Sequence, residues 1–448
     1  MREKSDSIFY NVDWFTVVIY LLLVVMGWFN IYSAVYDEAK SSVFNFERLE
    51  SKQLVFIGVS AVLAVIILVV DASFFTATAF ILYAGIILLN LAVVFLGTSI
   101  KGSHSWFRIG GFGLQPAEFA KWATLLALAK FLSGISKPDW LRTLLLACGI
   151  ILLPMFIIVV LQNETGVALV FLAFIVVLYR EGIVPGWVLL FGLLSAIAGV
   201  IGIKYPCVII ESHRIGEKVV IDHVTFLWAQ ILLRAAILAV VALIYLLMVR
   251  RSFMKIVMAL IAVGYFTTLL TVTPIVLEKL PEHQSGRIKC WLGLPVSPEV
   301  SARFDYNTRQ SMIAIGSGGW AGKGYLQGTQ TKFRFVPEQE TDFIFCTVGE
   351  EWGLLGTAAV VILYLVLIMR LIILSERQRS DFTRIYGYGV AAVFFIHLIV
   401  NVGMTIGLLP VIGIPLPFFS YGGSSLISFT ILLFIFIKLD SQRLLILR

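Results

Sequence analysis

The run Trp14-Phe-Thr-Val-Val-Ile-Tyr-Leu-Leu-Leu-Val-Val-Met-Gly-Trp-Phe-Asn-Ile-Tyr-Ser-Ala-Val-Tyr36 carries no charged side chain. A helix that crosses a hydrocarbon layer needs about 20 mostly apolar residues, and this run is long enough. It is too long for a signal-peptide core and has no clear small-x-small cleavage site, so it reads as a retained span. The same pattern recurs outward from it, at 53–70, 74–97, 115–134, 141–161, 165–180, 185–204, 227–249, 254–277, 353–375, 386–409 and 423–437. The run at 165–180 is close to half a span. Of the 448 residues, 59% are hydrophobic and 14% charged. The mean hydropathy is +0.96. A soluble domain carries about 25% charged residues. The chain therefore reads as all-α, a polytopic transmembrane helical bundle.

Charge asymmetry orients the spans. Arg2 and Lys4, Lys137 and Arg142, Arg250, Arg251 and Lys255, Arg377, Arg379 and Arg384, and finally Arg443 and Arg448 all fall between or beyond spans. With an even span count and a cytoplasmic N-terminus, all of them lie in the cytoplasm, as does the C-terminus. The opposite side then receives the loops 37–52, 98–114, 205–226 and 278–352, with short connections near 162–164 and 410–422. A net charge of +7 needs no nucleic-acid partner in such a protein. Cys148, Cys207, Cys290 and Cys346 are widely spaced and suggest neither a zinc site nor a disulfide framework. The loop 278–352 exceeds ordinary loop length and is not of low complexity, so it is expected to be ordered and functional.

Three polar regions interrupt the apolar pattern. The first runs from Gly102 through Trp106 and Arg108 to Gln115-Pro116-Ala117-Glu118-Phe119-Ala120-Lys121. Pro116 suits the first turn of a helix, and Glu118 and Lys121 share a helix face. The plain reading is an ion pair at a span mouth, where loss of Lys121 would cost under about 1 kcal/mol. The functional reading is a cationic wall for an anionic lipid headgroup. The second region is Gln162-Asn163-Glu164-Thr165-Gly166, a tight re-entrant turn in which Glu164 could simply face water.

The third region is the long loop, with His283-Gln284-Ser285-Gly286-Arg287, the glycine cluster 316–324, Gly328-Thr329-Gln330 and Pro337-Glu338-Gln339-Glu340-Thr341-Asp342. The glycine cluster is not a phosphate-binding loop of the Walker type: Ser317 and Gly324 stand where Gly and Ser or Thr are required. Its glycines suit tight turns or close backbone approach to a ligand. Asp342 abuts an apolar run. It reads either as an aspartate near a helix N-cap, worth about 1 kcal/mol, or as a carboxylate tuned by burial and nearby cations.

In number and order these motifs resemble the SEDS family (shape, elongation, division and sporulation), almost end to end. The family's Gln-Pro-Ser-Glu-x-x-Lys is similar to Gln115 through Lys121, its Gln-Pro-Asp-x-Gly to Gln162 through Gly166, and its His-Gln-x-x-Arg to His283, Gln284 and Arg287. Ile313 through Gly324, Gly328 through Gln330, Pro337 through Phe345, Gly349-Glu350-Glu351, Leu409-Pro410, Pro415-Leu416-Pro417 and Ser420 through Ser424 match further family motifs. The wording at Gly322-Lys323-Gly324 and Gly328-Thr329-Gln330 is nearer the RodA branch than the FtsW branch.

The resemblance implies a single membrane domain over 1–448, with a ten-span core plus an extra hairpin at 185–250. It implies a lipid II polymerase of the bacterial cytoplasmic membrane, acting in elongation and cell shape with a class B penicillin-binding protein that crosslinks the strands. It implies Asp342 as the essential acid, with Lys121 lining the same cavity. Chemistry agrees: a sugar hydroxyl attacking an anomeric carbon needs a general base, and the departing diphosphate needs positive charge. Lys121 and Arg287 are expected to supply that charge, with Glu118, Gln115, Trp106, Gln330, Lys323 and Glu338 completing the substrate site. A divalent cation, Mg2+ or Mn2+, could share the diphosphate, although no dedicated metal motif is visible. Ala117, Ser105, Glu164 and Glu340 depart from the family pattern; Ser105 stands for Arg, Glu164 for Asp and Glu340 for a frequent His. A lipid-linked-sugar flippase is the alternative activity, and a non-enzymatic scaffold for the synthase is a third reading.

Overall fold

A computed structural model describes residues 11–36, 48–100, 103–109, 112–135, 139–212, 253–294 and 296–443, with Arg234's neighbour Ala235 and Val240's neighbour Ala239 as isolated positions. It contains two compact units, residues 1–184 with 307–448, and residues 185–306.

The first unit begins with α1 (Trp14–Val35), α2 (Leu49–Val69) and α3 (Ala72–Leu96). Asp13 caps α1 by accepting from the Thr16 N–H at 3.1 Å, and Asp71 caps α3 through the Ser73 N–H at 2.7 Å. A three-stranded antiparallel sheet follows, β1 (Thr98–Ile100), β2 (Ser103–Ile109) and β3 (Phe112–Leu114), in the order β1-β2-β3. The sequence reading had only a loop there. Helix α4 (Pro116–Ser133) starts on Pro116. Helix α5 (Trp140–Leu161) carries Pro154 and ends in a π turn at Ile157–Leu161. After the 162–164 turn, in which Asn163 has φ 59°, comes the short α6 (Thr165–Arg180).

The second unit holds α7 (Gly186–Ser212) and α8 (Phe253–Lys279), which pack on each other, then α9 (Glu282–Trp291) and α10 (Pro298–Phe304). Helix α7 runs well past 204, so the expected loop at 205–226 starts later than its sequence suggests. The second arm of the expected hairpin, 227–249, lies outside the described residues.

In the first unit the chain continues from the end of α11 (Tyr306–Ser317) through α12 (Thr329–Lys332) to α13 (Ile344–Glu376), α14 (Asp381–Thr405) and α15 (Gly423–Ser441). Helix α13 is two helices joined across a kink. Gly353 breaks it with φ 63° and ψ −157°, a conformation essentially confined to glycine. The sequence reading began this span at 353 and missed the turns before the break.

Nine helices among the described residues are long and apolar enough to cross a membrane. All the apolar runs outside 227–249 are helical, including α4, which carries Glu118, Lys121 and Lys130. Helices α4, α14 and α15 are the most deeply buried, whereas α3 is mostly exposed on its apolar surface. Helix α14 packs on α13, α4 and α6, and α15 packs on α2 and α4. The connection 406–422 is not a surface link. Its Ile414, Leu416, Phe418 and Phe419 are buried, so this strap folds back among the helices. Irregular backbone is tolerated in such a bundle where protein covers it.

Candidate active site around Asp342

Asp342 stands between two buried anchors, Val336 and Phe343, which pack with Ala314 and Cys346. Glu338 takes φ 58°, and its carbonyl accepts from the N–H groups of Thr341 and Phe343, both at 3.2 Å. Asp342 in the resulting tight turn is half-buried. Phe343 is the N-cap residue of α13, with no side-chain cap hydrogen bond, and Asp342 stands one residue before it.

Two groups hold Asp342 from behind. Asn401 of α14 is fully buried, and its Nδ2 donates to the carbonyls of Asp342 and Ile414, both at 2.9 Å. Gly413, with φ 79°, lies against the carboxylate so closely that an added Cβ would stand 3.2 Å from Oδ2. The strap's far end is tied as well, since the Tyr421 N–H donates to the Glu340 carbonyl at 2.8 Å.

Lys121 is not at a solvated mouth. It is 1% exposed. Its ammonium donates to Glu118 Oε2 at 2.7 Å, lies 3.2 Å from His397 Nε2 and sits 4.3 Å from the centre of the Phe429 ring. His397 Nδ1 lies 2.9 Å from the Pro415 carbonyl, which can only accept. That contact assigns the proton to Nδ1 and leaves Nε2 as an acceptor for Lys121. Helices α4, α14 and α15 therefore bring Glu118, Lys121, His397 and Phe429 together, and His397 joins them to the strap beside Asp342. The reading of Lys121 as an interfacial cation failed because its partner His397 lies far away in sequence.

The glycine cluster packs on the break in α13. The N–H groups of Lys323 and Gly324 donate to the carbonyls of Glu350 and Glu351, and those of Leu354 and Leu355 donate to Gly319 and Trp320. Beneath it, fully buried Glu350 accepts from Lys323 Nζ at 2.6 Å, Thr329 Oγ1 at 3.2 Å, and the N–H groups of Gln330 and Thr331 at 2.8 Å. Lys323 and Gln330 thus meet at Glu350, and Glu351 accepts from Ser33.

The remaining candidates are dispersed. The Gln115 N–H donates to Ser424 Oγ at 3.0 Å, joining α4 to α15. Trp106 lies on β2, its ring against Gly113 of β3. Glu338 forms the turn before Asp342 and accepts from Thr341 Oγ1 at 3.3 Å. Arg287 lies on α9 in the second unit. Ser105 Oγ donates to Glu164 Oε1 at 2.9 Å, and Ser103 Oγ donates to the Gln162 carbonyl at 2.8 Å. The sheet is therefore pinned to the 162–164 turn by two hydrogen bonds, one of them between Ser105 and Glu164, which both depart from the family pattern. Among the described residues no three His, Cys, Asp or Glu side chains gather as a metal site.

His397, Asn401 and Glu350 were not singled out from the sequence. For the first two the signal was there: a His and an Asn four residues apart in the apolar run 386–409, where polar side chains are costly and face the bundle interior.

Comparison with known proteins adds the context. The model of the cell cycle protein family FtsW/RodA/SpoVE matches residues 13–225 and 217–444. The chain is similar to the peptidoglycan glycosyltransferase RodA of Treponema pallidum, 33% identical over 440 residues, covering 95% of this chain and 96% of the relative. It is similar to the peptidoglycan glycosyltransferase MrdB of Escherichia coli, 31% identical over 77% of this chain and 73% of the relative. In fold it matches a chain from a solved peptidoglycan synthase complex that coordinates polymerization and crosslinking, with TM-score 0.66, 24% identity, and 96% and 98% of the two chains covered.

Proposed function

Because the chain belongs to the FtsW/RodA/SpoVE family of cell cycle proteins, we propose that it is an integral-membrane peptidoglycan glycosyltransferase that polymerises lipid II during cell elongation. The glycan strands it makes are then crosslinked by a class B penicillin-binding protein. Both termini are cytoplasmic in this reading, and the Asp342 side faces outward, where lipid-linked substrate is presented.

The observation that carries the reading to a residue is the setting of Asp342, half-buried with its main chain held by Asn401. Asp342 takes the proton from the attacking sugar 4-hydroxyl as the new glycosidic bond forms. The bond from the anomeric carbon to the lipid diphosphate breaks, and charge grows on the leaving group. That growing charge calls for positive charge to meet it. A divalent cation, Mg2+ or Mn2+, would arrive with the diphosphate itself. Lys121 could contribute only by releasing Glu118 or His397. The similarity to relatives named as peptidoglycan glycosyltransferases supports the enzyme over a flippase.

The test is polymerisation of purified lipid II by the purified protein. Asp342→Asn is expected to make no glycan while remaining folded. Normal synthesis by this variant would remove the general base from the account.

A further inference from the structure

Asn401 sits in the interior of α14 with no exposed surface. A buried amide costs free energy unless its donors find partners. Both of its N–H groups do, and they go to two different chain segments. One acceptor is the main-chain carbonyl of Asp342. The other is the carbonyl of Ile414, next in the chain to Gly413, which packs against the Asp342 carboxylate. A single side chain therefore ties the proposed base to the strap segment packed against it. His397 lies one helical turn earlier on the same face and holds the next strap carbonyl, that of Pro415.

We infer that Asn401 is a positioning residue for glycosyl transfer, fixing the distance between the Asp342 carboxylate and the strap at Gly413. The inference rests on Asp342 as the base. The physical expectation is a rate effect, because misplacing a reacting group by about 1 Å can cost about a hundredfold. Affinity for lipid II should change little, since Asn401 is shielded from the surface. A merely architectural Asn401 would instead lower the folded fraction and leave the behaviour of each folded molecule unchanged.

The experiment uses full-length protein and purified lipid II, with Asn401→Leu, Asn401→Ser and Asp342→Asn measured in parallel. Asn401→Leu removes both donors at similar size, and Asn401→Ser retains one hydroxyl donor. The expected result for Asn401→Leu is a maximal rate about 10- to 100-fold lower, with KM within about twofold. The acid limb of its pH–rate profile should move by at least about 0.5 pH, because the base has a new environment. Asn401→Ser should fall between this variant and the wild type, and it decides the matter if Asn401→Leu does not fold. The inference is overturned if every loss of rate matches the loss of folded protein and the pH midpoint stays in place. If Asp342→Asn polymerises normally, the base assignment fails first and this inference fails with it. If Asp342→Asn is inactive while both Asn401 variants keep the wild-type rate and midpoint, only the positioning role is lost.

Discussion

Glu350 and Asp342 are neighbours in sequence, both acidic and both inside matched family motifs, yet the fold treats them in opposite ways. Glu350 is fully buried, and protein donors converge on both of its carboxylate oxygens. Asp342 is half-buried, and the grip on it is applied to its main-chain carbonyl by Asn401. A fully buried carboxylate ringed by protein donors is scaffolding. One that keeps part of its surface exposed, with its main chain clamped, can meet a substrate. The contrast separates two roles that composition and spacing leave merged.

The Lys121 cluster extends the scaffolding side of this contrast, and it carries the largest expected effect. Lys121→Ala leaves Glu118 buried without its cation. Removing one partner of a buried pair typically costs about 3–5 kcal/mol. Thermal unfolding in detergent should show a large drop, and survival of the fold with under about 1 kcal/mol lost would return Lys121 to the surface role that its sequence suggests.

The second expected effect lies at the break in α13. Gly353→Ala forces a side chain into a glycine-only conformation, costing about 1–3 kcal/mol in backbone strain. The new Cβ would also crowd the Trp320 carbonyl at 2.7 Å. A lower unfolding temperature and faster proteolysis around the glycine loop are the expected readouts. An unchanged protein would mean that the loop does not depend on this packing.

A smaller effect is expected at the sheet. Ser105→Ala removes one hydrogen bond to Glu164, worth about 0.5–1.5 kcal/mol. A double-mutant cycle with Glu164→Gln measures the coupling directly. Zero coupling would dissolve the pairing of these two departures from the family pattern.

The smallest effect concerns pH. Burial raises the Asp13 carboxyl, but hydrogen bonds from Arg370 and Thr16 and the charge of Arg370 outweigh it, so its pKa is lowered. A depressed carboxylate pKa adds stability that is present above the ordinary aspartate value and is lost as pH falls through the folded-state value. Acid titration of the unfolding temperature should therefore show a term that disappears in Asp13→Asn. An identical acid response in both proteins would contradict it.

The helices were legible because a bilayer demands long apolar runs, and each run read outside 227–249 is a helix. Their ends were less legible. Helix α2 begins at Leu49 because Glu50, Ser51 and Gln53 are buried by tertiary packing despite their polarity. Helix α15 runs on to Ser441 because Lys438 reaches the Leu68 carbonyl at 2.8 Å and buried Asp440 pairs with Arg377 at 2.6 Å. At the site, the motif at 337–345 located Asp342. It could not show that Asn401 and Gly413 would hold it, since those contacts depend on how the strap folds back. The glycines at 316–324 did permit close backbone approach, but the approaching partner is α13.

The most direct test sets Asp342→Asn beside Glu350→Gln and measures lipid II polymerisation and thermal unfolding for each. The account predicts that Asp342→Asn makes no glycan and unfolds within about 2 °C of the wild type, a shift of about 2 kcal/mol or less for a chain of this length. It predicts that Glu350→Gln loses several degrees of stability, from charge-assisted hydrogen bonds worth about 1.5–3 kcal/mol each, while the protein that remains folded still polymerises. Glycan synthesis by Asp342→Asn, or early unfolding of that variant to the same degree as Glu350→Gln, would contradict the division of roles.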